Sequence, residues 1–340
     1  MKVLITGGAG FIGSTVASAC LDEGITPVIL DNLSTGRREF TEGRAFYEGD
    51  IADGDLLDRV FADHPDIGAV IHCAALIVVP ESVAEPLRYY RENVAKTVDL
   101  LEHLLRNGCE QVLFSSSAAI YAPEPGDVVV DETSEVAPSS PYARTKAMME
   151  QILQDTAAAS PLRVISLRYF NPIGADPALR TGLQNPAPSH ALGKLTEAYA
   201  AKEPFVVTGV DWPTRDGSGI RDYIHVWDLA QAHVAALRRF PAILPAGGGA
   251  GYQVVNIGTG TGTTVRELVR AFEEVVGERL DVVEAAPRPG DVNGSYTANA
   301  TAARLLGWKA ARSVEDGIRD SLAWRVEWAR RLAARDADGA

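Results

Sequence analysis

The sequence predicts an α/β protein built on a doubly wound parallel sheet, with a smaller mixed α/β part beside it. Three observations carry this prediction. Short apolar runs alternate with longer helical segments through the first half of the chain. The first run passes through a glycine-rich turn straight into a helix-like stretch. After Asn171 the composition turns to proline, glycine and polar residues, which marks a change of architecture.

The buried strands are expected at Lys2–Thr6 (KVLIT), Pro27–Leu30 (PVIL), Ala69–Ala74 (AVIHCA), Gln111–Ser116 (QVLFSS) and Arg163–Arg168 (RVISLR). They are apolar along most of their length, as strands covered on both faces must be. An extended FYE segment precedes Gly49-Asp50-Ile51. Helices are expected over Gly10–Glu23, Asp55–His64, Pro86–Asn107 and Pro141–Ala159. Residues 172–220 hold one helical stretch near His190–Lys202, and Arg221–Arg239 returns to strand plus helix. Residues 1–171, with a return at about 221–240, are therefore read as the sheet domain, and 172–220 with 241–330 as the second domain. Gly247–Gly251 reads as a surface loop, and the Arg/Ala/Asp-rich tail after Trp328 is expected to fray.

At 340 residues the chain can bury a large core, and its formal charge of −13 argues against nucleic-acid or anionic-membrane partners, which want a basic footprint. Its cysteines are Cys20, Cys73 and Cys109, odd in number and without C-x-x-C spacing. That gives neither a disulfide framework nor a zinc site, and no metal is expected. Ala69–Pro80, the longest apolar stretch, is too short to span a membrane. Lys2–Thr6 reads as a core strand and leaves no room for a signal peptide. The expectation is a cytoplasmic enzyme.

TGGAGFIG sets Gly7, Gly10 and Gly13 between a strand and a helix. Gly7 permits the tight turn, Gly10 lets backbone approach a pyrophosphate, and Gly13 allows close packing of helix on strand. The next strand ends at Asp31, whose carboxylate can accept from both adenosine ribose hydroxyls and would repel a 2′-phosphate. NAD is therefore expected rather than NADP, with Arg37 and Arg38 nearby as the contrary signal. Asp50 and Ile51 stand where an adenine would lie, a solvent turn being the alternative for Asp50. NIGTGTGTTVRELVRAF (Asn256–Phe272) reads as a turn feeding a Thr-capped helix from near Thr263, with a second nucleotide loop as the alternative.

Tyr142-Ala-Arg-Thr-Lys146 follows a helix start, so phenol and ammonium share one helical face. A free tyrosine titrates near ~10, and a neighbouring lysine cation favours the phenolate needed for a base. The upstream strand ends in Ser115-Ser116-Ser117, at the sheet edge where ligands of such folds bind, and Ser117 can share a hydrogen bond with a substrate oxygen.

The set TGGAGFIG, DNLSTG, EGDI, PESVAEPLRYY, FSSSAAIY, SPYARTK, RYFNPIGA, DGSGIRDYIHVWDLA and NIGTG resembles the UDP-glucose/UDP-galactose 4-epimerases of the extended short-chain dehydrogenase/reductase superfamily. The match runs from about residue 1 to 325, on a Rossmann sheet. The resemblance implies that Tyr142 takes the proton of the sugar 4-hydroxyl, Lys146 holds the nicotinamide ribose, and Ser117 helps proton movement. A resident NAD would take and return one hydride at C4, giving a 4-keto intermediate. Cofactor contacts would extend to Phe11, Ile12, Asn32, Ser34, Thr35 and Gly36, then to Cys73, Ala74, Ala75, Asn93, Ser115 and Tyr169. Asn171, Arg221 and Arg288 would anchor the uridine diphosphate, arginine forks matching phosphate oxygens. Family members are usually dimers through two helices per subunit, here Pro86–Asn107 and Pro141–Ala159.

The chain departs from the family in places. Cys73 replaces a phenylalanine and Ile77 a lysine found in some members. His190 stands where some relatives carry a substrate-binding asparagine, with a surface histidine as the alternative. Ser295 falls where other members hold a bulky tyrosine, which leaves room for a 2-acetamido group and for UDP-GlcNAc or UDP-GalNAc as further substrates; Tyr296 next to it makes the register matter. Three rival readings turn on the same residues. A 4,6-dehydratase needs carboxylates after the strand-end serine, where this chain has Ser117-Ala118-Ala119. A UDP-glucuronate 4-epimerase differs by one carboxylate contact. A non-enzymatic NAD sensor would lack the serine, tyrosine or lysine, and all three are present.

Overall fold

The computed structural model describes residues 1–338 apart from 124–125, 186–187, 248–250 and 288–292; for 336–338 it describes the backbone alone. Most of the expected Gly247–Gly251 loop and Arg288 lie outside the described residues.

Seven parallel strands form the central sheet: β1 (Lys2–Thr6), β2 (Thr26–Asp31), β3 (Ala45–Glu48), β4 (Ile67–His72), β5 (Gln111–Ser117), β6 (Arg163–Tyr169) and β7 (Tyr252–Ile257). Their order is β7-β6-β5-β4-β1-β2-β3. The chain winds one way from β1 to β3 and the other way from β4 onward. The reversal between β1 and β4 opens a crevice at their carboxyl ends. The expected strands are present to within a few residues. The seventh is a finding: β7 pairs with β6 along Tyr252–Ile257, so this stretch belongs to the sheet and not to the second domain.

One core, with Val16, Ile29, Leu229 and Phe240, fills one side of the sheet. Leu57, Leu100, Phe114 and Leu153 fill the other. A third core around Ile173, Leu195, Phe205 and Phe272 belongs to the smaller part, where short strand pairs replace a large sheet. Among these pairs, Tyr223–His225 runs parallel to Asn171–Ile173, and Ser295–Thr297 runs parallel to Val128–Val130.

Helix starts follow their caps. Asp53 accepts from Leu56 N at 3.0 Å ahead of Gly54–Asp63. Ser140 accepts from Ala143 N ahead of Pro141–Ala159, with proline at the first helical position. The Thr-capped helix expected from near Thr263 is Val265–Val276, capped by Thr264, and Glu267 completes the capping box. The helix expected over Pro86–Asn107 is interrupted: Pro86–Tyr89 and Lys96–Arg106 flank a π-helical turn, Tyr90–Ala95.

The tail corrects its expectation. Val314–Asp338 is one helix continuing past Trp328. Trp324 and Trp328 stack 5.5 Å apart and both tilt onto Phe40, while Arg331 donates to Leu179 O at 2.7 Å and Arg335 pairs with Glu39. Two indoles on an aromatic partner hold a segment whose composition alone argues for fraying.

Beneath the carboxyl ends of β5 and β6 lies a buried ion pair. Arg168 Nη2 donates to Glu150 Oε2 at 2.6 Å and Nε to Oε1 at 3.0 Å, both side chains being under 10% exposed. Ser116 donates to the same carboxylate, and Arg168 Nη1 donates to the Tyr121 hydroxyl at 3.1 Å. Removing one partner strands a charge in the interior. Arg168→Met is expected to lower the unfolding free energy by about 3–5 kcal/mol in urea titrations, and the Glu150→Leu/Arg168→Met double variant by less.

Candidate active site

β1 runs into Gly7, whose φ of 68° is left-handed. A Cβ there would lie 2.7 Å from Ala74 N, so only glycine lets this turn rest against Cys73–Ala74 at the end of β4. A Cβ on Gly13 would meet Gly7 O at 2.3 Å. Gly10 differs: only Gly7 O comes near, at 3.4 Å, and the space a side chain would take is otherwise open. The helix Phe11–Asp22 begins there without a side-chain cap, whereas those at Gly54, Pro141, Ala191, Val226 and Val265 all have one. Its leading N–H groups and positive end are left for an anion. This cradle fits a dinucleotide pyrophosphate.

Asp31 ends β2 within the same turn. Its Oδ2 accepts from Ala9 N at 2.9 Å and its Oδ1 from Leu33 N at 2.8 Å. Burial raises its pKa against these two amides. Each oxygen keeps a further lone pair for a ribose hydroxyl. Gly36 must be glycine because a Cβ would sit 2.8 Å from Asp31 Oδ1. Asn32 accepts from Ser34 N, and Thr35 O accepts from Gln184 Nε2. Arg38 pairs with Glu48 and stacks over Phe46. Asp50 caps Ala52 N and bonds Lys96 Nζ at 2.6 Å, the hydrogen bonding of a turn, while Ile51 enters the core.

The second half of the site lies across the crevice. Lys146, 2% exposed, donates from Nζ to Ser115 O at 2.8 Å and stands over the Phe114 ring. Burial pushes its pKa down to about 8, against the opposing pull of Cys73 and Glu150. Tyr142 lies one helical turn earlier; burial raises its phenol pKa and the Ser117 hydroxyl lowers it. Ser115 Oγ meets Cys73 Sγ at 3.1 Å, and Tyr169 packs on the same group of side chains. Ser115, Ser117, Tyr142, Lys146, Cys73 and Tyr169 thus come together at the sheet's carboxyl edge.

Other expected residues sit further out. Asn93 is wholly buried behind the edge, bonding the Leu76 amide at 2.8 Å and its carbonyl at 3.0 Å, and reaching Thr145. It shapes the 74–78 loop. Ile77 is 60% exposed. His190 caps Ala191–Ala201, its Nδ1 accepting from Gly193 N at 3.1 Å, and burial lowers its pKa to about 4. Arg221 Nη1 donates to Ile220 O and Asn293 O. Tyr296 packs against Gly262, so Ser295 projects from the opposite face of its strand. Among the described residues no cluster could hold a metal, and no helix is long and apolar enough to cross a membrane.

Residues 3–258 match the NAD dependent epimerase/dehydratase family. The chain belongs to that family. A UDP-glucose 4-epimerase of Azospirillum brasilense is 46% identical over 326 residues, 95% of this chain and 91% of that relative. The structure of a Stenotrophomonas maltophila UDP-glucose-4-epimerase with bound NAD and formylated UDP-arabinopyranose superimposes with a TM-score of 0.91 at 36% identity, over 97% of this chain and 99% of that one. A Bifidobacterium longum UDP-glucose 4-epimerase in complex with NAD+ and UDP gives 0.88 at 34% identity, over 96% and 98%.

The family motifs do not point to the histidines that back the site. His233 Nδ1 donates to Leu229 O at 2.9 Å, and its Nε2 accepts from Ser115 Oγ at 3.2 Å. His72 lies between the Thr6 and Thr97 hydroxyls at 2.7 and 3.0 Å. Only long-range pairing reveals either role. Burial pushes His72 down to about 3 and His233 to about 4, so both rings are neutral. The unfolded chain takes up these protons near ~6.5 and the native protein does not, so stability falls as pH drops through that window. Each ring is expected to cost about 2 kcal/mol between about pH 7 and 5. Unfolding titrations of wild type and His233→Asn at both pH values check this, the variant having the shallower loss.

Proposed function

We propose that the chain is an NAD-dependent UDP-glucose 4-epimerase that interconverts UDP-glucose and UDP-galactose through a 4-keto sugar. The observation that carries this reading is the joining, across one crevice, of an uncapped glycine-rich helix start with a Ser117–Tyr142–Lys146 group in which Ala118 and Ala119, and no carboxylate, follow the strand-end serine. NAD, when bound, supplies the acceptor and then the donor of one hydride at C4. Gly7, Gly10, Gly13 and the amides of Phe11 and Ile12 would cradle its pyrophosphate, and Asp31 its adenosine ribose.

Tyr142 accepts the 4-hydroxyl proton and returns it once the keto sugar has turned over. Ser117 shares that hydrogen bond. Lys146, cationic at neutral pH, favours the phenolate and holds the nicotinamide ribose. Asn171, Arg221 and Arg288 would hold the uridine diphosphate, and His190, neutral and with Nδ1 engaged by Gly193 N, would offer its Nε2–H to the nucleotide. Binding energy fixed at the nucleotide end leaves the sugar free to rotate between its two faces. The small Ser295 leaves space beside C2 for an N-acetyl group. Three free cysteines fit a cytoplasmic, reducing setting.

Proton NMR with a panel of UDP-sugars tests the assignment. Wild type is expected to equilibrate UDP-glucose with UDP-galactose, and UDP-GlcNAc with UDP-GalNAc. Tyr142→Phe is expected to retain NAD and lose at least ~10²-fold in turnover. Turnover of UDP-glucuronate alone would move the assignment, and full activity in Tyr142→Phe would remove the tyrosine from the mechanism.

The same reading includes a homodimer. Leu87 is 77% exposed, with Val83, Val98 and Met148 also exposed on the segments either side of the π turn and on Pro141–Ala159. Exposed apolar side chains concentrated on these helices support an association surface there. In analytical ultracentrifugation wild type is expected to sediment as a dimer and Leu87→Asp/Met148→Asp as a monomer.

A further inference from the structure

We propose that Asp222 is a positioning residue of the nucleotide-sugar site, its carboxylate and carbonyl locking together the segments that carry Arg221, Asn171 and Ser295. The proposal rests on the reading above of those three residues as substrate contacts. Asp222 is wholly buried. Its Oδ1 accepts from Thr259 N at 2.8 Å and Thr259 Oγ1 at 2.7 Å, and its Oδ2 from Gly260 N at 3.2 Å and Thr297 N at 3.3 Å. Its carbonyl accepts from Asn171 N at 3.0 Å. One residue therefore follows Arg221 in sequence, bonds the Asn171 backbone, and holds the strand that begins at Ser295.

The neighbouring sequence is shaped to admit it. A Cβ on Gly258 would lie 2.5 Å from Asp222 Oδ2 and 2.6 Å from Thr297 Cγ2, and Gly260 has a φ of 81°. The NIGTG glycines thus let a carboxylate come close. Among the described residues no ion pair reaches Asp222; burial raises its pKa while the four neutral donors lower it. Buried charge without a cation is costly, and a neutral side chain would serve a purely structural turn better. What a carboxylate adds is two acceptor oxygens serving four donors from two separate segments at once. Asparagine keeps the shape but turns an NH2 toward donors on one side, whichever way its amide lies.

The test compares Asp222→Asn, Thr259→Val and Arg221→Met by kinetics, UDP titration calorimetry, bound NAD content and melting temperature. For Asp222→Asn the expected result is a rise of on the order of ten-fold in KM for UDP-glucose and in Kd for UDP, with kcat within about three-fold and NAD content unchanged. Thr259→Val, which loses one of the four bonds, is expected to shift Kd in the same direction by less. If Arg221→Met leaves UDP binding intact, the anchor reading fails. If it weakens binding while Asp222→Asn does not, the positioning role is overturned. A joint fall of kcat, NAD content and melting temperature in Asp222→Asn, with UDP affinity unchanged in Thr259→Val, also overturns it.

Discussion

The serine-bearing edge of the sheet depends on how the helix Pro141–Ala159 is clamped to the end of β5. Lys146 binds the Ser115 carbonyl, and one turn later Glu150 receives Ser116 and Arg168. Strand alternation makes this possible, because consecutive side chains leave a strand on opposite faces. Ser115 turns toward Cys73 and His233, and Ser116 toward Glu150. The strand end is therefore held from both faces, and Ser117 leaves it beside Tyr142 in a defined place. A loop carrying the same serines would have no such constraint.

The clamp is set in a dry interior, and that has an electrostatic consequence. Lys146 is buried with its charge answered mainly by a carbonyl and an aromatic face. Burial lowers its pKa to about 8, with Cys73 and then Glu150 pulling the other way, and Glu150 is itself paired with Arg168. The Glu150–Arg168 ion pair thus lies one helical turn beyond Lys146 on the same helix. The histidines complete the wall as neutral hydrogen-bond relays, adding polarity without charge.

The sequence made legible whatever is encoded locally. Apolar runs gave five of the seven strands, caps gave the helix starts, and Tyr142 with Lys146 follows from spacing on one helix. What stayed hidden comes from contacts distant in the chain. Ser115 and His233 meet across 118 positions, and Glu150 and Arg168 come from different elements. β7 is half polar and follows a glycine-rich stretch of sequence, so its sheet partner β6, far upstream, decides its fate. The final helix runs on past Trp328 because Trp328 and Arg331 find partners in Phe40 and Leu179, which composition does not reveal. The π turn at Tyr90–Ala95 was equally silent. Tyr89 beside it hydrogen-bonds the backbone of Val78, and Asn93 within it bonds Leu76, so tertiary contact sets the winding there.

Two glycine-rich turns of similar appearance end with opposite uses, and the difference lies in where a carboxylate stands. At Gly7–Gly13 the nearby acid, Asp31, accepts from the amides of Ala9 and Leu33, leaving the helix start beyond Gly10 without a side-chain cap and open in front. At Gly258–Gly262 Asp222 takes the amides of Thr259 and Gly260 for itself, and the helix that follows is closed by Thr264 and Glu267. Donors already given to an internal carboxylate are not free for a phosphate. The second turn is therefore a joint between parts of the protein, and the first is a place for a ligand. Glycine spacing alone cannot separate the two; the partners of the backbone amides do.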